Sequence, residues 1–183
     1  MRRRHVFTSS IALFAAGLAC GCDRDAAVDA VVDTTTDRRV WLEDARKISA
    51  ALPKRIGDFA PSDGADPFTT TFGTGPVFGS SCTYEHDRQQ LVVRVESGNI
   101  RARAAAALDA GAGGRVQTVH GQPAVVRWGD VTRVAEVTFV VARRYLVEVR
   151  LVPADGDAEA VRLAEALDTR PFESLVLEGT RAP

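Results

Sequence analysis

The chain has 183 residues, 45% apolar and 26% charged, with a formal net charge of −1. That is enough for one domain with a real core plus an extension, in the balance of an ordinary globular protein. The charge argues against a non-specific nucleic-acid binder, which would be clearly basic. Arg2, Arg3 and Arg4 precede the apolar run Ile11–Ala19 (IALFAAGLA), and a polar segment follows it. The run is shorter than the roughly 20 residues of a transmembrane helix. Basic start, short apolar stretch and small residues at its end predict a secretory signal peptide over 1–19, rather than a buried N-terminal helix. Its removal takes away three arginines and no acid, moving the formal charge from −1 to −4.

Two cysteines follow directly. The stretch resembles the lipobox of bacterial lipoproteins, which ends in the cysteine that becomes the new N-terminus. Gly17-Leu18-Ala19 precedes Cys20, and Ala19-Cys20-Gly21 precedes Cys22; neither register has leucine at the first position. Leu18-Ala19 favours Cys20 as the lipidation site, with Cys22 the alternative. If Cys22 is modified, Asp23 comes next, and the resemblance then implies inner-membrane retention in some Gram-negative bacteria. It also implies a diacylglyceryl thioether, usually with an amide-linked chain, which passes the two-chain threshold for stable anchoring. The expected address is the bacterial cell envelope, facing the periplasm or exterior, with the membrane a partner through the lipid. Cleavage without lipid would instead release a free secreted domain. Cys82 would then meet an oxidising compartment, but we expect a lone buried thiol and no disulfide.

Residues 20–37 are polar and small and read as the lipidated end and a flexible tether, with a single globular domain over 38–183. Trp41, Ala45, Ile48 and Leu52 share one helical face, and Pro53 ends that helix. Phe59–Phe68 (FAPSDGADPF) reads as a loop. Phe68–Phe72 reads as a strand broken by GTGP, and Ser80–His86 and Leu91–Ser97 as a hairpin. The alanine-rich stretch NIRARAAAALDAG predicts a short helix closed by Gly111–Gly114. Strands are predicted over 115–120, 123–128, 132–140 and 145–152. Alternation puts Ala135, Val137 and Phe139 on one side of the third, and Tyr145, Val147, Val149 and Leu151 on one side of the fourth. That pattern suits a sheet with one wet face. A last helix spans about 157–167, capped by Asp155 or Asp157, and Pro171 follows it.

The order α-β-β-β-α-β-β-β-β-α predicts an α+β fold: a largely antiparallel twisted sheet of about six or seven strands with helices packed on it. ALPKRIGDF after a helix, CTYEH before a hairpin, HGQPAVVRW, and ARRYLVEVR before a final helix resemble uncharacterised bacterial envelope α+β proteins over most of 41–177. The resemblance implies a fold type and an envelope address, with no functional residue to carry over.

Three cofactor chemistries find little support. GTGPVFG and GAGG lack the pattern of a phosphate loop. Asp58, Asp63 and Asp66 lack the ligand count and closing Glu of a calcium loop. Cys82 and His86 are four residues apart on a strand, about 13 Å, so with His120 they could share a metal only if the chain bends. No cofactor and no metal are expected. The expected role is a non-catalytic binding or accessory domain whose partner is an envelope protein or a small ligand, with no nucleic acid. The alternative is a small thiol-dependent or hydrolytic enzyme using Cys82 with His86 or His120 as base; GSSCT is not a nucleophile elbow. Arg101 and Arg103 on the alanine helix and Arg143-Arg144 at a hairpin tip are candidates for docking to phospholipid headgroups or an acidic partner.

Overall fold

The computed structural model describes residues 34–72, 75–111 and 113–179. Cys20, Cys22, the signal peptide and most of the expected tether lie outside them. Helix α1 (Thr34–Ala51) starts inside the segment read as tether and turns Ala45 and Ile48 inward, with Leu52 buried just past its end. Then come β1 (Ala60–Pro61), β2 (Asp66–Phe72), β3 (Gly75–His86) and β4 (Gln89–Gly98). Helix α2 (Arg101–Ala107) leads to β5 (Arg115–Val119), β6 (Gln122–Gly129), β7 (Val134–Val141) and β8 (Tyr145–Val152). Helices α3 (Ala158–Ala166) and α4 (Arg170–Glu173) follow.

The fold is α+β, and all eight strands join one antiparallel sheet in the order β1-β3-β4-β8-β7-β6-β5, with β2 also on the outer edge of β3. The expectation of six or seven strands is corrected by β1, whose Ala60 and Pro61 face Glu85 and Tyr84 of β3. Proline lacks an N–H and is tolerated only on an edge, so two such residues carry no strand pattern. Gly75–Gly79, read as loop, opens the long strand β3, with Phe72 facing Gly75 across the hairpin. After the last predicted helix the structure adds α4, with Pro171 inside its first turn, where a missing N–H costs nothing.

One sheet face forms the core. Leu91, Val93 and Val95 of β4, Val137 and Phe139 of β7, and Tyr145, Val147, Val149 and Leu151 of β8 are fully buried under α1 and α3. The opposite face is not simply wet. Alternation places Arg94, Glu96, Glu136, Thr138 and Glu148 there, yet Glu96 is 2% and Thr138 2% exposed, and α2 lies against β7 on this side. Asp157, expected as a helix cap, makes no capping hydrogen bond. Its carboxylate instead receives Arg115 from β5 at 2.8 Å, tying α3 to the sheet edge.

Candidate functional site

The chain brings together neither the metal set nor the thiol pair. Cys82 is a free, buried cysteine on the core face. Burial pushes its thiol above the ordinary value, which disfavours the thiolate a nucleophile needs, although a hydrogen bond with Tyr84 pulls the other way. Its sulfur lies 3.9 Å from the Asp63 carbonyl oxygen. His86, at the end of β3, faces Asp87 at 3.6 Å and packs on Phe59. His120 sits in the β5–β6 turn, and four strands separate β5 from β3. Its Nε2 lies 2.9 Å from the Ala164 carbonyl oxygen. A carbonyl only accepts, so this nitrogen carries the proton. Its ring rests on Phe139 and its backbone N–H reaches the Glu165 carboxylate at 3.2 Å. Each histidine is thus held by its own neighbours. Among the described residues, no cluster of three or more His, Cys, Asp or Glu side chains could hold a metal ion.

The covered polar face holds a charge network. Glu96 accepts from Arg94 Nε at 2.7 Å, from Arg103 Nε at 2.5 Å and from Arg103 Nη2 at 2.9 Å. Arg94 also stacks its guanidinium 4.2 Å from the Phe68 ring centre. Arg127 reaches α2 and the residues after it, donating to the Ala107 and Asp109 carbonyls at 2.9 and 2.8 Å. It also faces Glu136 at 3.6 Å. Glu148 sits across from Arg94 on one side and Thr138 on the other. Burial pushes its carboxyl above the ordinary 4.5, with Glu136 and Glu96 adding to the rise and Arg94 and Arg103 opposing it.

An acid whose folded pKa is raised binds more protons folded than unfolded, so its ionisation costs stability as pH climbs from the ordinary value through the raised one. Glu148→Gln is therefore expected to raise the urea midpoint at pH 7. The gain should shrink as pH falls and vanish below about pH 4, where the native side chain is protonated in both states. Urea titrations of both proteins across that range check it; a gain that grows toward low pH would contradict it.

The arginines of interest part ways. Arg103 turns to Glu96, whereas Arg101 joins Arg143 and Arg144 in lining a cleft of about 460 Å³. Ser97, Gly98, Asn99, Ile100, Ala104 and Val140 complete the lining, and no carboxylate is among them. The β-sheet register creates this meeting: the end of β4 lies beside the start of β8, which turns back into the end of β7. Ser97 Oγ donates to the Arg144 carbonyl at 3.1 Å, fixing the turn against β4. In that turn Arg144 N–H closes on the Val141 carbonyl, and the two central residues, Ala142 and Arg143, have φ of 50° and 58°. Glycine or asparagine takes this conformation easily; alanine and arginine pay about 1 kcal/mol or more each. The strained turn puts the exposed Arg143 side chain on the rim of the cleft. Arg144 reaches the Leu175 carbonyl at 3.4 Å.

A second cleft of about 540 Å³ contrasts with it. There Asp58, Asp87 and Glu159 stand beside His86 and Arg162, and Glu159 already receives Arg162 at 3.1 Å and Gln89 at 3.1 Å. Its charges are mixed and partly paired, whereas those of the arginine cleft are of one sign. Chemically, the arginine cleft can hold a phosphate or carboxylate by charge-assisted, bidentate hydrogen bonds, with Ile100, Ala104 and Val140 offering apolar contact to the rest of a ligand.

The sequence features singled out Arg101 and Arg143-Arg144, but as separate features; Ser97, Asn99 and Val140 had no signal. Comparison with protein-family models, with curated proteins and with solved structures finds no match for this chain in any of the three.

Proposed function

We propose that this chain is a lipid-anchored domain of the bacterial cell envelope, held through Cys20 or alternatively Cys22. Its role is binding rather than catalysis, and its ligand presents an anionic group to the arginine cleft. One observation carries the reading: Arg101, Arg143 and Arg144, from two distant parts of the chain, converge on a cleft with no carboxylate in its lining. Burial of the Cys82 thiol and the separate placement of both histidines weigh against the thiol-enzyme alternative. No helix among the described residues is long and apolar enough to cross a membrane.

The test has two arms. Intact mass of the membrane-extracted protein should give an N-terminus at Cys20 or Cys22 carrying acyl chains; retention of Met1–Ala19, or a mass without lipid, would overturn the anchor. Calorimetric titration with glycerol phosphate should show binding that weakens with added salt and falls at least about tenfold in Arg143→Glu. Equal affinities for the variant and the native protein would overturn the binding site.

A further inference from the structure

The arginine cleft lies at the end of the sheet where the chain enters the domain. Strand register defines that end: Val77 of β3 faces Gly98 of β4, Glu96 faces Leu146 of β8, and Tyr145 faces Val141 of β7. Helix α1 runs beside β3 in the same direction. Ser49 Oγ meets Ser80 Oγ at 2.7 Å and, further along both, Tyr84 O–H donates to the Pro53 carbonyl at 2.8 Å. Its first residue, Thr34, therefore points toward the Gly75 end of β3, where Asn99 N–H donates to the Pro76 carbonyl at 2.7 Å and the cleft begins. Arg38 and Arg39 are exposed on this part of α1. With Arg101, Arg143 and Arg144 they outnumber the carboxylates Asp37, Glu173 and Glu178 near the same end, where Asp44 is buried and taken up by Lys47 and the Gly179 N–H.

We propose that this end of the domain docks on the bilayer, with the arginine cleft receiving the phosphodiester headgroup of an anionic phospholipid. The inference rests on the reading of the cleft as an anion site and names its occupant. Two observations select a lipid surface over a free anion. The positive charge extends beyond the cleft onto α1, as a planar anionic surface requires and a small ligand does not. The described chain begins at Thr34, at this same end, so a lipidated N-terminus preceding it would tether the domain to the bilayer by the end that carries the arginines. Each arginine brought near an anionic surface strengthens partitioning about fivefold, and a basic patch combined with acyl chains is a recognised two-signal anchor.

The experiment uses the membrane-extracted full-length chain, reconstituted into vesicles of phosphatidylcholine alone or of phosphatidylcholine with phosphatidylglycerol, and follows amide hydrogen exchange. With phosphatidylglycerol, residues 97–104 and 141–145 should exchange about tenfold more slowly, while the β6–β7 turn at the opposite end, 130–133, keeps its rate. Arg101→Glu with Arg143→Glu should abolish the difference without changing the circular dichroism spectrum. Protection at 130–133 instead, or none anywhere, would overturn the docking. If glycerol phosphate in solution still binds in an Arg143-dependent way, the cleft survives as a site for a free anion. If it does not, both readings fall.

Discussion

Phe139→Ala is expected to lower the free energy of unfolding by about 4 kcal/mol. The side chain is fully buried and sits on β7, with Ala124 of β6 on one flank and Val147 of β8 on the other. Its ring also supports His120 at 5.8 Å. Small flanking residues such as Ala124 and Val147 cannot grow into the space, and the sheet hydrogen bonds keep the strands from closing over it. The cost is therefore the lost transfer energy plus most of the cavity term. Phe139→Leu refills much of the volume and is expected to lose no more than about 1.5 kcal/mol. Urea denaturation of the three proteins decides the matter. A loss near 1 kcal/mol for the alanine variant would mean that this part of the core relaxes, and that the sheet is looser than its burial indicates. Domains of this size hold about 5–15 kcal/mol in total, so the alanine variant should remain folded at low temperature with a much earlier transition.

The core was readable because period-two alternation survives wherever one face is dry. In VAEVTFVV and YLVEVRLV the apolar set alternates cleanly, and those residues are the ones found under α1 and α3. Helix α1 was equally plain from Trp41, Ala45, Ile48 and Leu52. The losses come where the cause lies elsewhere in the chain. Ala60-Pro61 is a strand because β3 offers an open edge, not because of its own residues. Asp44 is fully buried in α1 because Gly179 donates its N–H at 2.7 Å and Lys47 lies at 3.0 Å, a partnership formed across nearly the whole described chain. Alternation put Tyr145, Val147, Val149 and Leu151 on one side of β8 correctly, but it carries no information on what covers the other side. The candidate site shares this limit. Arg101 and Arg143 are 42 positions apart, and only the β4-β8-β7 neighbourhood makes them one feature. Arg101 and Arg103 look alike on a seven-residue helix, yet one is drawn to a buried carboxylate and the other lines the cleft.

Glu96 is where the fold and the candidate site meet, and Glu96→Ala is expected to cost about 2–3 kcal/mol. Its carboxylate is the shared acceptor for Arg94 and Arg103. Removing it takes the shared carboxylate away from two guanidinium groups on a covered sheet face, and breaking a charge pair at a covered site is costly. The arginine side chains keep 38% and 30% of their exposure, so water offsets part of the loss and the value falls below the 3–5 kcal/mol of a fully buried pair. Glu96→Ala with Arg103→Ala should lose less than the two single changes together, by about 1 kcal/mol or more, because both changes break the same Glu96–Arg103 pair. A functional consequence follows from the geometry. Arg103 is the side chain through which α2 grips Glu96, and α2 carries Arg101 into the cleft. Glu96 itself lines no part of that cleft. Loss of its carboxylate should nonetheless weaken glycerol phosphate binding and speed amide exchange in 101–107, because Arg101 is no longer held in position. Both effects should appear well below the thermal transition, where the sheet is intact. A Glu96→Ala protein that loses stability but binds the anion unchanged would show that Arg127, through its bonds to the Ala107 and Asp109 carbonyls, suffices to hold α2.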